Sequence, residues 1–326
     1  MVQEAGAVRD ERAARAESAD GERREHLSPQ LVRELSRLNP PLAFGHILVE
    51  WSAILGAAWL CDRFFHPLLY VLVVPFIGAR LHALGFLLHD AAHVRLLPSK
   101  RWNDLLADLL LAFPLFITLR DYRKTHLTHH RHLNTDRDPD WVAKQTPAWS
   151  FPKTFGGMVK FLLKPWSTAK SELHWAGGGK RRHPPALTAA RLLFYALVAV
   201  LLTVLGLWRP FAMYWLVPMF LWWPIAMRIT SMAEHFGLAY ESIYSQSRTI
   251  IPNLFDRIFI SPKNAGYHLD HHLYPSVPFY RLPRLHQALL ELPEYRQKAH
   301  ITHGYWGVLR ECMRGPRDVV PGSAKA

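Results

Sequence analysis

"PLLYVLVVPFIGARLHALGFLLHDAAH", Pro67 to His93, decides the fold. A bilayer core about 30 Å thick is crossed by roughly 20 residues of helix. Pro67 to Leu88 supplies that length of apolar chain and stops directly against His89. Three more runs of the same kind surround it: Leu42 to Leu60, Ala190 to Trp208 and Phe211 to Met232. The chain is therefore expected to be an all-α integral membrane protein with four transmembrane helices in two pairs. Between the pairs, Asp104 to Leu119 ("DLLADLLLAFPLFITL") is too short and too broken by proline to cross. It should lie in the interface or dip partway in.

Outside the spans, residues 1–28 mix both charge signs without an apolar stripe and are expected to form a disordered cytosolic tail. They do not resemble a signal peptide, because the first apolar run begins only at Leu42. A membrane domain over 29–290 and a cytosolic C-terminal tail over 291–326 complete the expected organisation. The 39 Lys and Arg against 26 Asp and Glu give a net charge of +13, which in a soluble protein would suggest nucleic acid. Distribution argues otherwise. Only Arg63 and Arg209 fall in the short turns within each pair, while "RDYRK", "GGGKRRH" and "YRLPRLH" fall on the opposite side. This positive-inside pattern implies a membrane and no nucleic acid, and places both termini and all long loops in the cytoplasm. Arg- and Ala-rich composition points to a GC-rich bacterial source, so the membrane is expected to be a bacterial inner membrane. Cys61 and Cys312 then lie on opposite sides, so no disulfide joins them.

Nine of the 19 histidines are clustered or follow a span end. "HDAAH" holds His89 and His93, "HLTHH" holds His126, His129 and His130, and "HLDHH" holds His268, His271 and His272. His235 stands in "SMAEHFGL" after the fourth span. Helical residues three and four apart share a face, so each box aims its imidazoles one way. Every cluster is reached after an even number of crossings, provided that 104–119 turns back, so all nine can meet at one membrane surface. A tetrahedral zinc site saturates with four ligands; nine imidazoles imply two metals. Imidazole suits zinc, copper, iron and nickel, so ligand type alone does not choose between them.

The order HxxxH, HxxHH, late HxxHH, interleaved with two pairs of spans, resembles the membrane fatty acid desaturase family. The resemblance covers roughly His82 to His286 and is most specific in "NAGYHLDHHLYPSVPFYRLPRLH". It implies four spans with a cytosolic helical cap carrying the histidine boxes, and two non-haem iron ions bound by His89, His93, His126, His129, His130, His235, His268, His271 and His272. It also implies an O2-dependent oxidation of a fatty acyl chain or similar lipid, with desaturation as the first reading. "AEHFGL" is similar to a segment of membrane alkane hydroxylases. Hydroxylation, ketolation, or decarboxylation to a terminal alkene on the same centre is therefore the alternative. A non-catalytic membrane metal-binding protein is a third class. It fits poorly, because transport sites lie near the bilayer midplane, whereas these histidines sit at span ends and in loops.

Ligating imidazoles usually hand their other N–H to a carboxylate or carbonyl. Asp90, Glu234 and Asp270 are embedded in the boxes, and Asp136, Asp138 and Asp140 follow box two. Ser231 stands where some family members place an asparagine that reaches iron through water, so Asn264 is an alternative for that role. His82 shares a face with His89 two turns deeper, where an ionisable group tends to be functional. Arg80 and Arg228 are candidates for an acidic head group. No GxGxxG motif, cysteine cluster or haem module is present, so electrons must come from an external ferredoxin, rubredoxin or cytochrome.

Overall fold

The structure is a computed structural model that describes residues 26–145, 149, 154–163, 183–238 and 242–314. The charged stretch 1–25, most of "GGGKRRH" and residues 315–326 lie outside it. Helix α1 (Pro29–Leu35) leads into α2 (Pro40–Arg63) and α3 (Pro67–Ala92), the first pair long and apolar enough to cross a membrane. The second pair is α8 (Pro185–Val204) and α9 (Trp208–His235). Proline opens α2, α3 and α8, where its missing N–H costs nothing. Asn39 and His66 cap α2 and α3 by accepting from the amides of Leu42 and Leu68. The second and fourth spans run further than their apolar stretches. Helix α3 continues through His89, and α9 ends on His235, because cap contacts satisfy their last turns.

Span α3 is the packing centre, with 61% of its apolar window buried. A Cβ on Gly78 would stand 2.6 Å from the Cβ of Trp222, so only glycine lets α9 approach this closely. Trp51 of α2 stacks on Trp215 of α9 at 5.3 Å. The tryptophans of the fourth span thus serve mainly packing, although Trp223 faces a cavity.

The segment between the pairs dips among the spans. It comprises α4 (Lys100–Ala107), a π-helical turn Asp108–Ala112 and a hairpin back to α5 (Leu119–Arg131). Thirteen helical residues, at 1.5 Å each, span about 20 Å and cannot cross. The hairpin's carbonyls are met by three spans: Trp51 donates to Leu110, Trp215 to Pro114 and Tyr195 to Phe113. Irregular backbone among apolar helices requires such partners.

Beyond α6 (Pro139–Lys144) and α7 (Phe155–Leu162), and after α9, the cap is built from short pieces. These are β1 (Thr249–Ile251), α10 (Leu254–Phe259), α11 (His268–Leu273), α12 (Leu282–Leu290), α13 (Pro293–Lys298), β2 (Ile301–His303) and α14 (Gly304–Arg314). Strands β1 and β2 pair in parallel, Thr249 against Ile301. The C-terminal stretch from 291 is therefore not a tail as far as Arg314. Tyr295, Tyr305, Val308 and Cys312 are buried, and Arg248 joins Glu311 at 3.1 Å. Local polarity hid this, since the segment's apolar residues are few and are matched only by distant partners. Cys61 and Cys312 are both buried free thiols.

Candidate metal centre

Box one sits on the last turn of α3 and box two on the last turns of α5. Arg123, one turn before His126, joins the two helices. It donates to the carbonyls of Ala91 and Ala92 at 2.8 Å and clamps Asp104 of α4 with both guanidinium nitrogens. Orphan carbonyls at the end of α3 are thereby capped by a cation. Burial alone would raise the Asp104 pKa, but Arg123 and Lys100 hold it down to about 2. Asn103 adds a bond to the same Ala91 carbonyl at 3.0 Å.

Box three is carried by α11, which is anchored through Asp270. Its carboxylate accepts from Tyr295 and, at 3.2 Å, from Thr249, and lies 3.1 Å from Nδ1 of His286. The loop before α11 docks on β1, where Ile250 N–H donates to the Gly266 carbonyl at 2.7 Å. A Cβ on Gly266 would fall 2.5 Å from the Ile250 carbonyl oxygen, so this approach needs glycine. His235 closes α9, and the amide of Arg248 bonds to the Glu234 carbonyl beside it at 3.0 Å.

These anchors bring all nine histidines together as two groups. His89, His93, His126, His130 and His271 form one, and His129, His235, His268 and His272 form the other, the ligand atoms of each lying within 4.8 Å of one another. Consecutive Nε2 atoms nearly touch. His93 to His126 is 2.8 Å, His126 to His130 is 3.1 Å and His130 to His271 is 3.0 Å. In the second group His235 to His268 is 2.8 Å and His268 to His272 is 3.0 Å. A neutral imidazole nitrogen either donates or accepts, so His126, His130 and His268 cannot make two ordinary hydrogen bonds each through one Nε2. A cation facing all these lone pairs satisfies every one.

Ligand atoms gathered this closely would let each group of imidazoles reach a single ion. Burial and mutual repulsion hold His126, His268, His271 and His272 far below the ordinary imidazole pKa. The same causes, with Arg95 and Arg123, bring His93 down to about 2. Neutral nitrogen is the form that binds metal.

The outer ring nitrogens are held by a subset of the expected acids. Asp138 receives Nδ1 of His129 at 2.9 Å and also accepts from the amides of Asn134 and Asp140. Burial would raise the Asp138 pKa, yet the His129 bond outweighs it and keeps the acid ionised. His235 Nδ1 faces the Gln246 carbonyl at 3.3 Å. Asp90 lies 3.6 Å from Nδ1 of His89 and accepts from the Phe279 amide, while Glu234 lies 3.9 Å from Nδ1 of His268. Two expected neighbours are placed elsewhere. The oxygens of Asp270 are taken by Tyr295, Thr249 and His286, and Asn264, in a left-handed turn at φ 57°, spends its amide on the Phe279 carbonyl. His132 caps the end of α5 outside both groups.

The arginines considered for an acidic head group are also engaged. Arg80 bonds to Glu50 and the Ile258 carbonyl. Arg228 is buried with its guanidinium 4.2 Å from the Phe161 ring centroid. Lys263, unremarked in the sequence, joins Glu50 at 2.6 Å and borders the cavity below the histidines. That cavity, about 160 Å³, runs between α3 and α9 past Phe86, Trp223, Met227 and Glu234.

Comparison with known proteins gives the same picture. The model of the family described as fatty acid desaturase matches residues 65–304, which contain all nine histidines. The dihydrorhizobitoxine desaturase of Bradyrhizobium elkanii is 27% identical over 309 residues, 89% of this chain and 86% of its own. A beta-carotene ketolase of a Paracoccus species is 26% identical over 245 residues, 73% of this chain and 88% of its own. The human sphingolipid delta(4)-desaturase/C4-monooxygenase is 24% identical over 297 residues, 87% and 85% of the two chains. Four apolar helices, histidine clusters able to bind metal and oxidoreductase relatives make this a membrane-associated enzyme with a lipid substrate and O2 as oxidant. With the family model covering most of its length, the chain belongs to the fatty acid desaturase family.

Proposed function

We propose that the two histidine groups hold two iron ions, five ligands on one and four on the other, and that the centre desaturates a lipid chain lying in the cavity below it. The observation that carries this reading is the chain of Nε2 contacts at 2.8–3.1 Å, which neutral imidazoles cannot satisfy by hydrogen bonding alone. Two ferrous ions would supply the reduction of O2 and the removal of hydrogen from an unactivated C–H bond. The protein's own part is positional. Asp138 keeps the proton of His129 on Nδ1, Arg123 fixes boxes one and two against each other, and Phe86, Trp223 and Met227 line a cavity that holds a chain and excludes water.

Both termini and the centre face the cytoplasm of a bacterial inner membrane in this reading, on the positive-inside balance. Electrons arrive from an external donor of ferredoxin, rubredoxin or cytochrome type. Exposed Lys124, Arg131 and Arg137 around box two suit an acidic one. A second outcome, oxygen insertion, is favoured by the relatives named as a ketolase and as a C4-monooxygenase. Decarboxylation to a terminal alkene belongs to the same alternative. Purified protein should contain two irons per chain and should consume O2 with a lipid panel. Mass spectrometry then separates loss of two hydrogens, gain of oxygen and loss of one carbon. Zinc in place of iron, or no O2-dependent product, would remove the proposal.

A further inference from the structure

His82 lines the cavity beneath the histidine groups and belongs to neither. It is 4% exposed, and its Nδ1 is buried with no hydrogen-bond partner among the described residues. The ring meets Phe86 at 4.5 Å, with Trp223 and Met227 across the cavity on α9, while Lys263, which borders the same cavity, is paired with Glu50. Thr230, higher on the same wall, spends its hydroxyl on the carbonyls of Ala226 and Met227. A slot built for bare hydrocarbon gains nothing from a buried imidazole. Leaving such a group unsatisfied costs about 1–3 kcal/mol, and any apolar residue would avoid that cost.

We infer that His82 is a specificity-determining residue that hydrogen-bonds a polar group on the substrate chain, a hydroxyl, amine or amide. Its depth sets where that group stands. Seven residues of α3 separate His82 from His89, or about 10 Å along the helix. An extended chain advances roughly 1.2 Å per bond, since three backbone bonds span at most ~3.6 Å. The polar group therefore lies roughly eight bonds from the carbon held at the level of box one. Gly85, one turn above His82, leaves the path open, because a Cβ there would meet nothing within 4 Å. The inference rests on the proposed oxidation of a chain in this cavity and names the chemical class of that chain.

The test uses the full chain, iron-loaded and purified in detergent, with tritiated 1-dodecanol as probe and unlabelled 1-aminododecane and dodecane as competitors. Wild type should bind the alcohol saturably, with the amine competing well and dodecane about tenfold more weakly. His82→Phe should abolish that tenfold difference, and His82→Leu carries the same expectation should the phenylalanine variant not accumulate. His82→Gln, which keeps a donor and an acceptor, should retain part of it. Equal competition by dodecane in wild type, or an undiminished preference in the Phe or Leu variant, overturns the inference. Iron counted on the same samples separates the two ideas: two irons without a polar preference sinks only the role of His82, and a polar preference without iron sinks only the metal reading.

Discussion

Span α3 buries 61% of its apolar window inside the protein, and span α8 buries none of its own. Both are long, apolar, opened by proline and supplied with small residues, yet only those of α3 are buried where neighbours close in. Gly78, Ala79, Ala83, Ala91 and Ala92 are buried, while Leu193, Leu197, Val200 and Leu201 of α8 stand exposed to lipid. Helices in a bilayer gain nothing by hiding leucine from lipid and associate where small side chains allow close packing. Polar residues follow the same division. Helix α3 holds His82, His89 and Asp90 against partners or a cavity, whereas α8 lends one hydroxyl, that of Tyr195, to the hairpin. One span is the wall of a site and the other is an anchor.

The largest effect should come from His89→Ala at the end of α3. Activity should fall below detection and metal content with it, measured as iron per chain; retained activity would break the contrast at its strongest point. Next, Glu50→Ala should leave the half-buried cations Arg80 and Lys263 facing each other without the buried carboxylate they share. A destabilisation of about 3–5 kcal/mol is expected from the loss of a buried partner, visible as a lowered unfolding midpoint in detergent.

Asp138→Asn lies outside both spans and sharpens the comparison, since it asks whether supporting the site matters as much as lining it. Loss of the carboxylate behind His129 should cost roughly 10–100-fold in metal affinity or turnover, with little change in unfolding midpoint. Smallest should be Leu197→Ala in α8, which is 60% exposed. Stability should move within about 0.5 kcal/mol and turnover should be unchanged; a clear loss would show that α8 does more than anchor.

The histidines were legible because three and four residues of spacing put them on one helical face without reference to any other part of the chain. What holds them was not. Asp90 accepts from the amide of Phe279, 189 positions away, and Arg123 looked like one more cytosolic charge until it reached the carbonyls of Ala91 and Ala92. Asp270 sits inside "HLDHH" and still turns to Tyr295, Thr249 and His286, because its own helix points it away from the imidazoles. Arg80 fits the same lesson. An arginine inside a span suggested a substrate anion, and the partner proved to be Glu50 on the neighbouring span.

By itself, the sequence determined that this protein is helical, membrane-associated and endowed with nine imidazoles in three boxes and one outlier, since length, apolarity and helical period are local properties of a chain. Only the tertiary structure decided that the nine divide five and four, that Asp138 rather than Asp270 backs a clustered imidazole, that residues beyond 291 help close the cap, and that His82 lines a cavity while its Nδ1 has no partner among the described residues. Those outcomes depend on which distant surfaces meet, and burial turns each unmet polar group into a cost that the fold must settle across the whole chain.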